Sequence, residues 1–134
     1  MAKFPSEAWI QLFREKVNSN PEYAEAAKNW EGDFQFIVTP DEALDRELIF
    51  YVDLWHGKCR EVAVLRSREE RKTAFTWRGA YSNWKRLISE KRDPIRDLLT
   101  RKFQLEGDMI RIMRAVRAAQ ELVKTAASVP TEFV

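Results

Sequence analysis

The sequence contains one cysteine and one histidine among 134 residues. A lone cysteine, Cys59, excludes an intramolecular disulfide framework and fits a reducing compartment. One histidine and one cysteine cannot supply the three or four nitrogen and sulfur donors of a zinc site. Any serine or cysteine triad would have to use His56. Glycine is scarce, at four residues, and neither a phosphate-cradling loop nor a dinucleotide fingerprint is present, so no cofactor is expected. No apolar run approaches a membrane span, and the N-terminus lacks a basic-then-apolar signal segment. Neither sign of charge dominates: 23 basic residues face 21 acidic ones, for a net charge of +2. Both signs are interspersed, which argues against a nucleic-acid surface. The expectation is one cytoplasmic domain over residues 1–134, with no stable membrane insertion.

Large apolar side chains are plentiful. Five tryptophans, eight phenylalanines and three tyrosines must be placed in a chain of this size. They serve either a filled aromatic core or the walls of a hollow one, because ligand pockets are concave and mostly apolar.

The pattern divides cleanly into elements. Ser6 caps a helix expected to run to about Val17, with Trp9, Leu12, Phe13 and Val17 as its apolar stripe. Asn20-Pro21 starts a second, short helix reaching about Asn29. From Asp33 the residues alternate, with Phe34, Phe36 and Val38 on one face and Gln35, Ile37 and Thr39 on the other. A second strand, about Glu47 to Trp55, places Leu48, Phe50, Val52 and Leu54 together. His56-Gly57-Lys58 connects it to a third strand, Arg60 to Leu65. The polar stretch Arg66 to Lys72 reads as a crossover, and Thr73 to Trp77 as a fourth strand. Helices follow from Ala80 to about Glu90 and from Asp93-Pro94 onward. A short strand around Phe103 and Leu105 comes next. One long helix is then expected from Met109 to Ala127, and Pro130 to Val134 reads as a frayed tail.

Strands grouped before helices argue for an α+β fold, a five-stranded, mostly antiparallel sheet with helices packed on one face. A parallel placement is open to the fifth strand. The long helix has an unusually wide apolar face that mixes alanines with Met109 and Met113. Simple core packing accounts for that face; the sharper alternative is that it roofs a cavity. Met109, Ile112, Met113 and Val116 would then form the roof. Trp84 and Leu98 would be side walls, and Phe36, Phe50 and Val52 the sheet surface beneath.

Several segments together resemble the sterol carrier protein-2 family, particularly its stand-alone prokaryotic members. They are Phe4-Pro5-Ser6 with Trp9, Asn20-Pro21-Glu22-Tyr23, and Trp30-Glu31-Gly32-Asp33. His56-Gly57-Lys58-Cys59, Gly79-Ala80-Tyr81 with Trp84, Asp93-Pro94, and Leu105-Glu106-Gly107-Asp108 with Met109 and Ile112 complete the set. The resemblance implies an apolar tunnel between sheet and helices that holds sterols, fatty acyl chains or other lipids, and it implies no catalysis. One departure is that family members often carry a glycine between the two middle helices, where this chain has Glu90-Lys91-Arg92. The leading expectation is non-enzymatic carriage of a lipid or other apolar small molecule. The alternatives are an interaction module with a filled core, docking an accessory partner or a second copy through aromatics such as Trp55 and Tyr51, and a small enzyme using His56.

Overall fold

The computed structural model describes residues 1–134 as a five-stranded sheet with helices on one face and a small two-stranded ribbon at the side. Strand β2 (Glu31–Thr39) lies between β3 (Leu48–Trp55) and β5 (Phe75–Ala80), with β4 (Lys58–Leu65) and β6 (Gln104–Glu106) at the edges. The β2–β3 and β3–β4 pairs are antiparallel. The one parallel pair in this sheet is β2–β5, and β6 runs antiparallel to β5. The alternation read from sequence sets the register: Phe34 sits opposite Val52 and Phe36 opposite Phe50, so the large apolar side chains share the helix-facing surface.

The β3–β4 turn places His56 at φ 50° and Gly57 at φ 79°, the paired positive angles of a type I′ hairpin. A Cβ at Gly57 would lie 2.7 Å from the Ala24 carbonyl oxygen, so the turn also seats the neighbouring helix.

The stretch between β4 and β5 crosses the back of the sheet. Gln35, buried on that face, donates to the carbonyls of Arg68 and Arg71 at 2.9 and 2.6 Å. Those bonds pin the crossover, and the Arg71 guanidinium lies over the Tyr51 ring at 4.0 Å. Beneath it Ile37, Ile49, Tyr51 and Leu65 form a second small core.

On the front face lie α1 (Glu7–Asn18), α2 (Pro21–Ala26), α3 (Tyr81–Ser89), α4 (Pro94–Leu99), α5 (Met109–Arg114) and α6 (Val116–Ala127). Ser6, Asn20, Asp93 and Asp108 cap their helices through side-chain oxygens. Helix α3 begins after Ala80, which has no side chain to cap it. Asp41 in the β2–β3 loop does so instead, accepting from the Ser82 N–H at 2.7 Å. Partial desolvation raises the Asp41 pKa, but hydrogen bonds from Ser82, Ala43 and Leu44 outweigh it and hold the carboxyl below its usual range. Between α3 and α4, Lys91 takes a left-handed backbone (φ 52°), a conformation that favours glycine.

Two expectations are corrected. The tail is not frayed: β7 (Thr131–Phe133) pairs in parallel with β1 (Ala2–Phe4), and the Tyr81 hydroxyl donates to the Val134 carbonyl at 2.7 Å. The long C-terminal helix is two helices, α5 and α6, broken at Ala115 (φ −113°, ψ 31°). No helix is long and apolar enough to cross a membrane.

Candidate ligand cavity

Between sheet and helices lies a cavity of about 100 Å³ whose 21 lining residues are all hydrophobic. The sheet contributes Phe34, Phe36, Phe50, Leu54 and Trp77, with Trp30 just before β2. Helix α1 contributes Trp9, Ile10 and Phe13; α3 contributes Trp84, Leu87 and Ile88; Phe4 and Tyr23 close the sides. The roof is Ile112 and Ala115, followed by Ala118, Ala119, Leu122, Val123 and Ala126 along α6. A row of alanines lets the α6 backbone ride close over the aromatic floor while leaving space no side chain fills.

Tryptophan-lined walls stay apolar when the indole N–H groups are satisfied elsewhere. Trp9 donates to the Thr131 hydroxyl at 2.9 Å, Trp30 to the Gly32 carbonyl at 3.0 Å, and Trp84 to the Ile37 carbonyl at 3.0 Å. Aromatic contacts tie the wall together: Trp30, Phe34, Phe36 and Phe75 make a stacked array with centroids 5.1–5.8 Å apart. No charged side chain reaches the cavity. Burial, then the neighbouring Cys59, pushes the Tyr23 phenol well above its ordinary pKa, so it stays neutral. Helix α2 is tethered to the roof by the Asn20 amide, which donates to the Thr125 hydroxyl at 2.9 Å.

Of the residues expected from sequence, Phe36, Phe50, Trp84 and Ile112 line the cavity. Val52 and Leu98 are buried in the main core but do not reach it. Val116 is half-buried outside the wall. Met109 and Met113 lie outside the wall, 42 % and 41 % exposed. Helix α5 ends at Ala115, and Ile112 is its one buried residue. Sequence reasoning missed Phe4, Tyr23, Trp30 and Trp77 as wall residues. The alanine face of α6 was visible, but its roofing positions were assigned one break too early.

His56 lies outside the wall, half-exposed on its hairpin, with Nε2 2.6 Å from a Glu31 carboxylate oxygen. Cys59 is buried on β4, and desolvation pushes its thiol up to about 12. Tyr51 is buried on the back face, donating to Asp33 at 2.9 Å, and Trp55 is partly covered by Arg60, whose guanidinium sits 4.4 Å from the ring. No cluster of three or more histidine, cysteine or carboxylate side chains forms a metal site.

The sequence profile of the SCP-2 sterol transfer family matches residues 5–120. Among solved structures, a crystal structure of sterol carrier protein 2 superposes with a TM-score of 0.81 at 30% identity, covering 92% of this chain and 97% of that one. A conserved hypothetical protein of Thermus thermophilus, suggested to be a sterol carrier protein, gives 0.85 at 29% identity over 95% and 90% of the two chains. The apo sterol carrier protein 2 of Yarrowia lipolytica gives 0.61 at 17% identity over 93% and 94%, a likeness of fold. No curated protein matches the chain.

Proposed function

Because the chain belongs to the SCP-2 sterol transfer family, we propose that residues 1–134 form one lipid-binding unit. It carries a sterol, fatty acyl chain or similar guest beneath α6 without acting on it chemically, in a cytoplasmic setting. The observation that carries this reading is the wholly hydrophobic lining of the cavity. A dry void weakens a fold, so one kept among so many aromatics points to an occupant.

Apolar walls are energetically sufficient for such a guest. About sixteen methylenes at about 0.8 kcal/mol each give about 13 kcal/mol gross. Association and ordering take back about 5 kcal/mol at the low end of their range. The remaining ~8 kcal/mol corresponds to micromolar affinity. Size is the other constraint. A cavity of about 100 Å³ is smaller than the ~150 Å³ void that accepts benzene. A long guest therefore requires the roof to lift, and the Ala115 break is where α5 and α6 can move separately. The small volume is also what favours the second reading, an interaction module with a nearly filled core.

Native mass spectrometry of the purified protein, joined to titration with a fluorescent fatty acid, tests the proposal. The expected result is a saturable one-to-one complex displaced by unlabelled lipid. Absence of both a co-purifying apolar mass and saturable binding would overturn it.

A further inference from the structure

The chain has three tyrosines, and the fold treats their hydroxyls unequally. Tyr51 donates to the Asp33 carboxylate at 2.9 Å, and Tyr81 to the Val134 carbonyl at 2.7 Å. The Tyr23 hydroxyl has no hydrogen-bond partner, although the residue is only 2 % exposed. Its neighbour Cys59 does not serve, since that thiol makes its weak bond to the Glu61 carbonyl, 3.7 Å away. No fully enclosed side-chain oxygen or nitrogen is left unpaired in the fold, so the Tyr23 oxygen borders open space. The space that Tyr23 lines is the cavity. Buried polar groups are bonded as a rule, so an orphan in a cavity wall points to a ligand. A trapped water is a poor substitute, because it needs two to four polar partners and the wall around Tyr23 is apolar. Among the wall tryptophans, Trp9, Trp30 and Trp84 have bonded N–H groups, and Trp77 alone has none.

The helix that carries this ring is held firmly. Asn20 accepts from the N–H groups of Glu22 and Tyr23 at 3.0 and 3.4 Å, and donates to Thr125 on α6 at 2.9 Å. Gly57 lets the β3–β4 hairpin close on Ala24, the next residue. A phenylalanine would fill the same space, so the fold itself gains nothing from the oxygen. We propose that the Tyr23 hydroxyl is the polar anchor of the cavity and selects a neutral lipid whose only polar group is a hydroxyl or a carbonyl. A phenol donates to either oxygen and accepts from a hydroxyl. An ionised carboxylate finds no cation in this wall and would lie buried without a counter-charge. A free fatty acid therefore leaves its head at the surface and gains nothing from Tyr23. The inference rests on the carrier reading and narrows the preferred guest to a neutral one.

The test is competition against a fluorescent fatty acid by dodecanol and by dodecanoate, at about pH 8 where the carboxylate is ionised. The full chain is compared with its Tyr23→Phe and Trp77→Phe variants. The parent should bind the alcohol about tenfold or more tightly than the carboxylate. Tyr23→Phe should lose about fivefold for the alcohol, the worth of one neutral hydrogen bond, and keep the parental affinity for the carboxylate. Trp77→Phe should shift both competitors alike. Ligand-free Tyr23→Phe should melt at or above the parental temperature, since no bond of the fold is lost. An equal or reversed preference in the parent, or an unchanged alcohol affinity in Tyr23→Phe, would overturn the proposal. So would equal losses for both competitors in Tyr23→Phe, or a lowered melting temperature, which would make the hydroxyl structural. A loss confined to the alcohol in Trp77→Phe, with none in Tyr23→Phe, would move the anchor to the indole and overturn it too. All of these leave the carrier reading standing. Absence of any saturable binding of the fluorescent fatty acid, or of either competitor, would sink the carrier reading and this one with it.

Discussion

Ala118→Leu puts the hollow-core interpretation at risk most directly. Ala118 is buried on α6 and lines the cavity. Leucine adds three carbons there, which at about 0.8 kcal/mol each amounts to about 2.4 kcal/mol of new burial. The cavity gives the same figure by another route: about 100 Å³ at about 24 cal/mol per Å³ is again about 2.4 kcal/mol. That is a ceiling, since leucine will not fill the space without some strain, and a gain of about 1–2 kcal/mol is expected. For a chain of this length, about 4 °C per kcal/mol converts it to a melting temperature raised by about 4–8 °C. The helix itself is nearly indifferent, because alanine and leucine are both strong helix formers. Thermal unfolding by circular dichroism reads the stability, and displacement of a fluorescent fatty acid reads the site. Stability should rise while guest affinity falls. If the space is not usable volume, the added carbons overpack the core and cost about 1–3 kcal/mol, so the sign reverses. A lowered melting temperature, or unchanged guest affinity in a stabilised variant, would refute the reasoning.

Lys91→Gly should stabilise the protein by about 0.5–1 kcal/mol in urea denaturation, because the left-handed backbone there costs a lysine what it does not cost glycine. A second expectation concerns alkaline pH. The buried Cys59 thiol has a folded-state pKa pushed up from 9.0 to about 12. The folded protein therefore holds a proton that the unfolded chain releases, so this contribution is full below about pH 9 and is lost as pH rises toward 12. Cys59→Ala should flatten the fall in unfolding free energy between pH 9 and 11, and an unchanged slope would remove Cys59 as its cause. The native thiol should also resist iodoacetamide at pH 8 and react only on unfolding. His56→Ala should change neither guest binding nor stability beyond about 1 kcal/mol, since its partner Glu31 is as exposed as it is; a tenfold loss of binding would give the histidine a role in the site.

Elements whose signals lie within a few residues were legible from sequence. Alternation in Glu31–Thr39 and Leu48–Trp55 placed Phe34, Phe36, Phe50 and Val52 on one face because the strand period is two whatever the partner. The cap at Ser6 and the helix starts at Asn20-Pro21 and Asp93-Pro94 were equally local. What escaped was nonlocal. Strand β1 exists because Ala2–Phe4 meets Thr131–Phe133 at the far end of the chain, and three residues carry no usable period. Asp41 capping α3 requires a loop some forty residues away. The break at Ala115 falls at alanine, the best helix former, so no propensity marks it. Met109 and Met113 lie on α5 outside the wall, and Leu98 and Val52 lie in the core short of it, because burial and lining a void are different properties.

Four of the five tryptophans, Trp9, Trp30, Trp77 and Trp84, stand in the cavity wall, and only Trp55 lies outside it. The intrinsic ultraviolet emission of this protein is therefore dominated by indoles that look into a single small, dry space. Whatever enters that space, hydrocarbon or water, alters the polarity around them and shifts or quenches their light. Replacing Trp55 with phenylalanine would remove the one solvent-facing emitter and leave a chain whose own fluorescence reports, without any dye, whether its interior is occupied.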